Sequence, residues 1–128
     1  MATRRLRAHG AAHPDVAWER YDLIALWPTW SPQIRRVRAD APRIALGVRG
    51  TVGVPGGLGL PFTVTAVDPA ARTWSWVVHL GPVVMTLNHE VHADGPGSGT
   101  LLVMEGPDPV LLAYAPIAWV ALRRLVAR

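Results

Sequence analysis

From Gln33 to Glu105 the chain is cut into short apolar and β-branched runs by clusters of turn-forming residues. Nothing else in the sequence limits the fold as strongly. Residues 34–38, 48–54, 62–67, 74–79, 83–92 and 100–105 each read as extended segments. The separators include Pro55-Gly56-Gly57, Asp68-Pro69, Gly81-Pro82 and Asp94-Gly95-Pro96-Gly97-Ser98-Gly99. Parallel neighbours need a crossover of a dozen or more residues, and these links are shorter. The pattern therefore predicts an antiparallel meander.

The flanking segments complete the layout. Residues 4–9 read as a further short strand, which Gly10 to Pro14 ends. Pro14 suits the first turn of a helix and Asp15 complements its positive end. Val16, Ala17, Tyr21 and Leu23 or Ile24 then recur at helical spacing. Residues 26–32 carry two tryptophans and two prolines, which predicts a second short helix or turn with Trp27 and Trp30 buried beneath the short helices. Pro107-Asp108-Pro109 opens a long helix running toward Arg128, and Pro116 inside it is expected to kink it. No repeat or long linker divides residues 1–128, so one domain is expected. A long apolar helix beside an antiparallel sheet buries itself best if the sheet curls and the helix lies in its concave face. The predicted class is α+β, a helix-grip arrangement with six to seven strands and two short helices after the first strand. A helix apolar nearly all round reads as touching the sheet on one side and a cavity or the short helices on the other.

Composition excludes several functions. Half of the 128 residues are hydrophobic and 17% are charged, the balance of a folded chain rather than a disordered one. With no cysteine there is no disulfide, thiolate metal site or cysteine nucleophile. All 13 basic residues are arginine and the net charge is +4, yet no nucleic-acid reading motif accompanies them. No nucleic-acid partner is expected. The apolar stretch 110–122 falls short of the roughly 20 residues of a bilayer span and carries Pro116, so no stable membrane insertion is expected. Residues 1–10 lack the apolar run of a secretory signal, and a cytoplasmic location is expected. The five histidines show no metal-ligand spacing, and neither metal nor cofactor is expected. The glycine-rich segment 53–61 lacks the Lys-Ser/Thr and following helix of a phosphate loop. It reads as a hairpin tip beside a cavity mouth. There is no Gly-x-Ser-x-Gly elbow for a serine hydrolase.

Strand alternation assigns faces. Met85, Leu87, His89 and Val91 form the apolar register of their strand, opposite Thr86, Asn88, Glu90 and His92. Thr100, Leu102 and Met104 should point inward on the next strand, with Glu105 outward. Trp74, Trp76 and Val78 share a face. The orientation of His79 stays open, because a bulge at that strand end would reverse it.

Several segments resemble the START-like helix-grip superfamily (SRPBCC), and within it the polyketide cyclase/dehydratase-type proteins. They are Ala12-His13-Pro14-Asp15-Val16-Ala17-Trp18, Trp27-Pro28-Thr29-Trp30-Ser31-Pro32, the run Phe62 through Pro69, Trp74-Ser75-Trp76, Asn88-His89-Glu90-Val91 and Gly99-Thr100-Leu101. The resemblance implies the same helix-grip fold and an internal cavity for a hydrophobic, polyketide-like or aromatic small molecule. The residues expected to line it are Trp27 and Trp30 from the aromatic turn, Phe62, Trp74 and Trp76, Met85 and Leu87, Leu102 and Met104, and Leu111 from the long helix. It also implies an activity, cyclisation or dehydration by orientation and proton transfer. His89 is the candidate acid/base and Tyr114 the candidate partner, since a neutral imidazole both accepts and donates a proton. The alternative is a non-catalytic carrier of a lipophilic molecule. An enzyme should bring two or more polar groups together in the cavity, such as His89, Tyr114 and Thr100; a carrier should have one or none. Either a monomer or a homodimer is compatible with the sequence.

Overall fold

A computed structural model describes residues 1–128. The elements run β1 (Ala2–Gly10), α1 (Pro14–Asp22), a 3-10 turn (Ile24–Leu26), α2 (Trp27–Trp30), β2 (Arg36–Ala39), β3 (Arg49–Val54), β4 (Leu58–Asp68), β5 (Thr73–Leu80), β6 (Val83–Asp94), β7 (Gly97–Gly106) and α3 (Asp108–Leu125). Seven strands form one sheet in the order β1-β7-β6-β5-β4-β3-β2, with every neighbouring pair antiparallel. The meander is thus β2 through β7, and β1 adds to its far edge. Because β1 and β2 lie on opposite edges, the chain between them must cross the sheet. The short helices make that crossing.

The strand faces follow the alternation. Trp74, Trp76 and Val78 are buried, as are Met85, Leu87, His89 and Val91, and Thr100, Leu102 and Met104. Glu105 is exposed. His79 pairs in regular register with Val84 and is exposed, so the end of β5 carries no reversal. The bulge sits instead in β4, between Val64 and Ala66. Strand β2 starts at Arg36 rather than at residue 34. Ile34 belongs to the end of the aromatic turn, where its N–H donates to the Ser31 carbonyl at 3.1 Å.

The aromatic turn closes α1. A helix ends with carbonyls that have no partner inside it, and here each of the last four is met. Leu23 N–H donates to the Glu19 carbonyl at 2.9 Å, and Ile44 N–H to the Asp22 carbonyl at 2.9 Å. The indole N–H of Trp30 donates to the Arg20 carbonyl and that of Trp27 to the Tyr21 carbonyl, both at 2.9 Å. Two tryptophans three residues apart in a single turn of helix present both indoles to the end of α1. Their rings then pack into the core beneath it, where Trp27 and Trp30 are both buried.

Helix α3 packs against β1, β7 and α2. Arg4 on the inner face of β1 grips Asp108 in its first turn with contacts of 2.8–3.1 Å. At the other end, Arg20 donates to the carbonyls of Leu125 and Ala127, both at 2.6 Å. The chain after α3 passes so close to Gly10 that a Cβ there would lie 2.3 Å from the Val126 carbonyl oxygen, which restricts position 10 to glycine. The helix runs unbroken from Asp108 to Leu125 with Pro116 inside it. One expectation is corrected. Leu111, Ala118, Ala121, Leu122 and Leu125 are buried, but Leu112, Ile117, Trp119 and Val120 are exposed. The sheet covers one side of α3 and no element covers the outer side, where the Arg123 guanidinium lies 4.8 Å from the Trp119 ring centre. No helix is long and apolar enough to cross a membrane.

Candidate ligand cavity

Away from the β1–β7 edge, where most of the α3–sheet contact lies, a cavity of about 460 Å³ opens beneath the first half of α3. Val52, Val54 and Pro55 form one wall, Leu60, Trp76, Val78 and Leu80 the floor, and Met85 and Leu87 the next wall. Val110, Ala113, Tyr114 and Ile117 of α3 form the roof, and Gln33 and Ile34 complete the lining from the segment after α2. Gln33 also borders an open groove with Pro55 and Ile117. The β3–β4 hairpin turn, Pro55-Gly56-Gly57, supplies the rim at Pro55. Gly56 and Gly57 hold φ of 91° and 78°, a left-handed pair that suits the tight reversal. The glycine-rich segment therefore lies at the cavity mouth, where the sequence reading put it.

A second, narrow recess of about 30 Å³ lies further in, lined by Trp27, Trp30, Trp74, His89 and Leu102 among others. That volume has room for a water or two, not for a ligand. Gln33, Ile34, Trp76, Leu87 and Tyr114 line both spaces and form the neck between them.

His89 points inward but lines only the narrow recess. Its ring stacks on Trp74 at 4.2 Å and 9°, and Tyr21 meets it edge-on at 5.1 Å. Nδ1–H donates to the Trp74 carbonyl at 3.3 Å, which leaves Nε2 as the free acceptor. Burial among these rings disfavours the imidazolium and pushes the pKa down to about 3, although the bond to the Trp74 carbonyl opposes the shift. At neutral pH His89 is an uncharged side chain. Thr100 is committed elsewhere: its hydroxyl donates to the Glu90 carbonyl at 2.8 Å and lies 3.0 Å from the Tyr21 hydroxyl, which then donates to it.

Tyr114 does reach the wide cavity. Its hydroxyl accepts from Gln33 Nε2 at 2.7 Å, and burial raises its pKa above the ordinary tyrosine value. It is a neutral hydrogen-bonding group there, not a base. Of the other expected lining residues, Trp76, Met85 and Leu87 reach the wide cavity, and Trp27, Trp30, Trp74 and Leu102 only the narrow recess. Phe62, Met104 and Leu111 line neither. Phe62 packs behind Trp27 and Trp76, at 5.4 and 5.2 Å. Gln33 is the polar residue the sequence reading missed. Its one signal is an uncharged polar side chain between the aromatic turn and a buried Ile34.

A seven-stranded antiparallel sheet gripping a C-terminal helix over an apolar cavity defines the START-like helix-grip class. Within it, the chain belongs to the family described as polyketide cyclase/dehydrase and lipid transport, whose model matches residues 1–128. Among solved structures it is similar to Ara h 8.0201, with TM-score 0.77, 14% identity and coverage of 97% of this chain and 94% of that one. It is similar to the di-domain ARO/CYC BexL from the BE-7585A biosynthetic pathway, with TM-score 0.77, 17% identity and coverage of 96% and 45%. A third likeness is to ginseng major latex-like protein 151 from Panax ginseng, with TM-score 0.79, 13% identity and coverage of 97% and 94%. At these identities the likeness carries the fold alone. Comparison with curated protein sequences gives no significant match.

Proposed function

We propose that this domain binds one neutral, largely apolar small molecule, polyketide-like or aromatic, in the wide cavity. The observation that carries this reading is the lining. Of 15 residues, 13 are hydrophobic and none is charged. A fused-ring ligand burying roughly 300 Å² of apolar surface would gain about 7 kcal/mol before the costs of association. An ionised ligand would meet no countercharge there and would lose its hydration. Nile red, a neutral dye whose fluorescence rises on leaving water, is expected to bind one per chain. Val78→Trp places an indole on the cavity floor and is expected to reduce that binding at least ~10-fold while the protein remains folded by circular dichroism. Undiminished binding in Val78→Trp, or none in the wild type, would refute the reading.

Catalysis of cyclisation or dehydration is the second reading. The free Nε2 of His89 and the shared neck between the two spaces favour it. The imidazole does not touch the wide cavity, so its proton would have to pass through water in the narrow recess, and rate would otherwise come from orientation and water exclusion. His89→Gln keeps a similar shape and a donor. With a poly-carbonyl substrate it is expected to lower turnover about 100-fold or more while binding persists. Equal turnover in wild type and variant would remove His89 from the mechanism, and no turnover in either would leave the carrier reading.

A further inference from the structure

The chain has five buried side-chain polar atoms without a hydrogen-bond partner, and three of them belong to residues that line the narrow recess: Gln33 Oε1, Trp76 Nε1 and Trp74 Nε1. Buried polar groups in a folded protein are nearly always paired, so such a cluster marks a place where a partner is missing. Gln33 and Trp76 also line the wide cavity, and so does Tyr114, to which Gln33 is already bonded. With one Gln33 Nε2–H given to the Tyr114 oxygen, the neck retains three donors, the second Gln33 N–H, the Tyr114 O–H and the Trp76 N–H. It retains one acceptor, Gln33 Oε1. If the Gln33 amide is turned over, Tyr114 donates to it instead. The pair then still offers a free N–H and a free oxygen lone pair. The neck therefore holds both a donor and an acceptor just beneath its surface, in a wall without charge.

This inventory discriminates between ligand groups. A carbonyl accepts only, and leaves the free acceptor of the neck unpaired. A carboxylate accepts only and is charged, with no cation in the lining to meet it. An ammonium finds no carboxylate. A hydroxyl donates once and accepts twice, which pairs the one acceptor and two of the three donors. Building on the cavity-binding reading above, we infer that the cavity selects apolar ligands carrying a phenolic, enolic or alcoholic hydroxyl at one end, held at the neck by Gln33, Tyr114 and Trp76. The apolar body of the ligand lies against Val78 and Met85 in the wide cavity.

Competitive displacement of Nile red by 2-naphthol and 2-methylnaphthalene tests this, because the two probes differ by a hydroxyl in place of a methyl of similar size. The wild type is expected to bind 2-naphthol at least ~10-fold more tightly. In Gln33→Leu, and separately in Tyr114→Phe, that ratio is expected to fall to near one while 2-methylnaphthalene affinity is kept. The deprotonated 2-naphthoate is expected to bind weakest of the three. Equal affinity of the wild type for naphthol and methylnaphthalene would overturn hydroxyl selection and leave the apolar cavity standing. A naphthol preference that survives in both variants would overturn the assignment to this neck. Failure of Nile red itself to bind would overturn the cavity reading, and this inference with it.

Discussion

Replacing Trp27 by alanine is expected to lower the stability of the fold by about 3–5 kcal/mol, the scale for removing a large buried aromatic side chain. The indole is 1% exposed and lies within 4.9–5.6 Å, centre to centre, of Phe62, Trp74 and Trp76. Its loss empties the middle of the aromatic cluster. It also strips the Tyr21 carbonyl of its donor at the end of α1. Trp27→Phe separates the two effects, since the ring is largely kept and the N–H is lost. That variant is expected to cost less than Trp27→Ala but still more than ~1 kcal/mol, the cost of leaving a buried carbonyl unpaired. Urea denaturation of the three proteins measures both. A loss below ~1 kcal/mol for Trp27→Ala would mean that the turn does not hold the core. Trp30→Ala is expected to fall in the same range, because that indole caps the neighbouring carbonyl and packs edge-on against Tyr21 at 5.4 Å.

The second large effect is acid sensitivity. His89 in the folded chain resists protonation down to a pKa of about 3, whereas the unfolded chain takes up that proton near 6.5. Above pH 6.5 the side chain is neutral in both states and contributes no pH dependence. Between 6.5 and 3 the unfolded state binds the extra proton, so stability is lost as the pH falls, at about 1.4 kcal/mol for each pH unit. The whole window amounts to something on the order of 4–5 kcal/mol. Asp15 and Glu19, whose pKa values are lowered mainly by bonds to Arg72 and Arg43, are exposed and contribute little beside it. His89→Gln isolates the effect, because the carboxylates titrate alike in both proteins. The stability difference between wild type and His89→Gln is expected to be flat from pH 8 to 6.5. It should then shift steadily in favour of the variant down to pH 4. Parallel stability curves over that range would show that the imidazole is reached by solvent.

The faces of the strands were legible from residue order because alternation is local: the pleat sends successive side chains to opposite sides whatever surrounds them. Met85, Leu87 and His89, like Trp74, Trp76 and Val78, could be placed inside without a fold. The tight turns were equally legible, because Gly56-Gly57 and Asp68-Pro69 restrict the backbone within a few residues. So was the long helix after Pro107. Its outer face was not, since an apolar sequence records what a helix tolerates and not whether anything covers it.

Which inward side chains border a cavity is a different kind of fact. It depends on where α3 parts from the sheet, and contacts more than a hundred residues apart set that, Arg4 with Asp108 at one end and Arg20 with Leu125 at the other. Alternation sends His89 and Leu87 to the same face of β6, yet Leu87 reaches both spaces and His89 only the narrow recess. The rings of Tyr21 and Trp74, brought from α1 and β5, pack directly on the imidazole. Gln33 follows the same logic. It has no periodic neighbour to assign it a face, and it becomes part of the site only because the chain crosses the sheet to set it against Tyr114, 81 positions away. The sequence by itself determined the strands, the turns and the inward faces, through rules that act over a few residues. The tertiary structure alone decided which of those inward groups meet open space, because a cavity exists only between elements that the chain brings together from a distance.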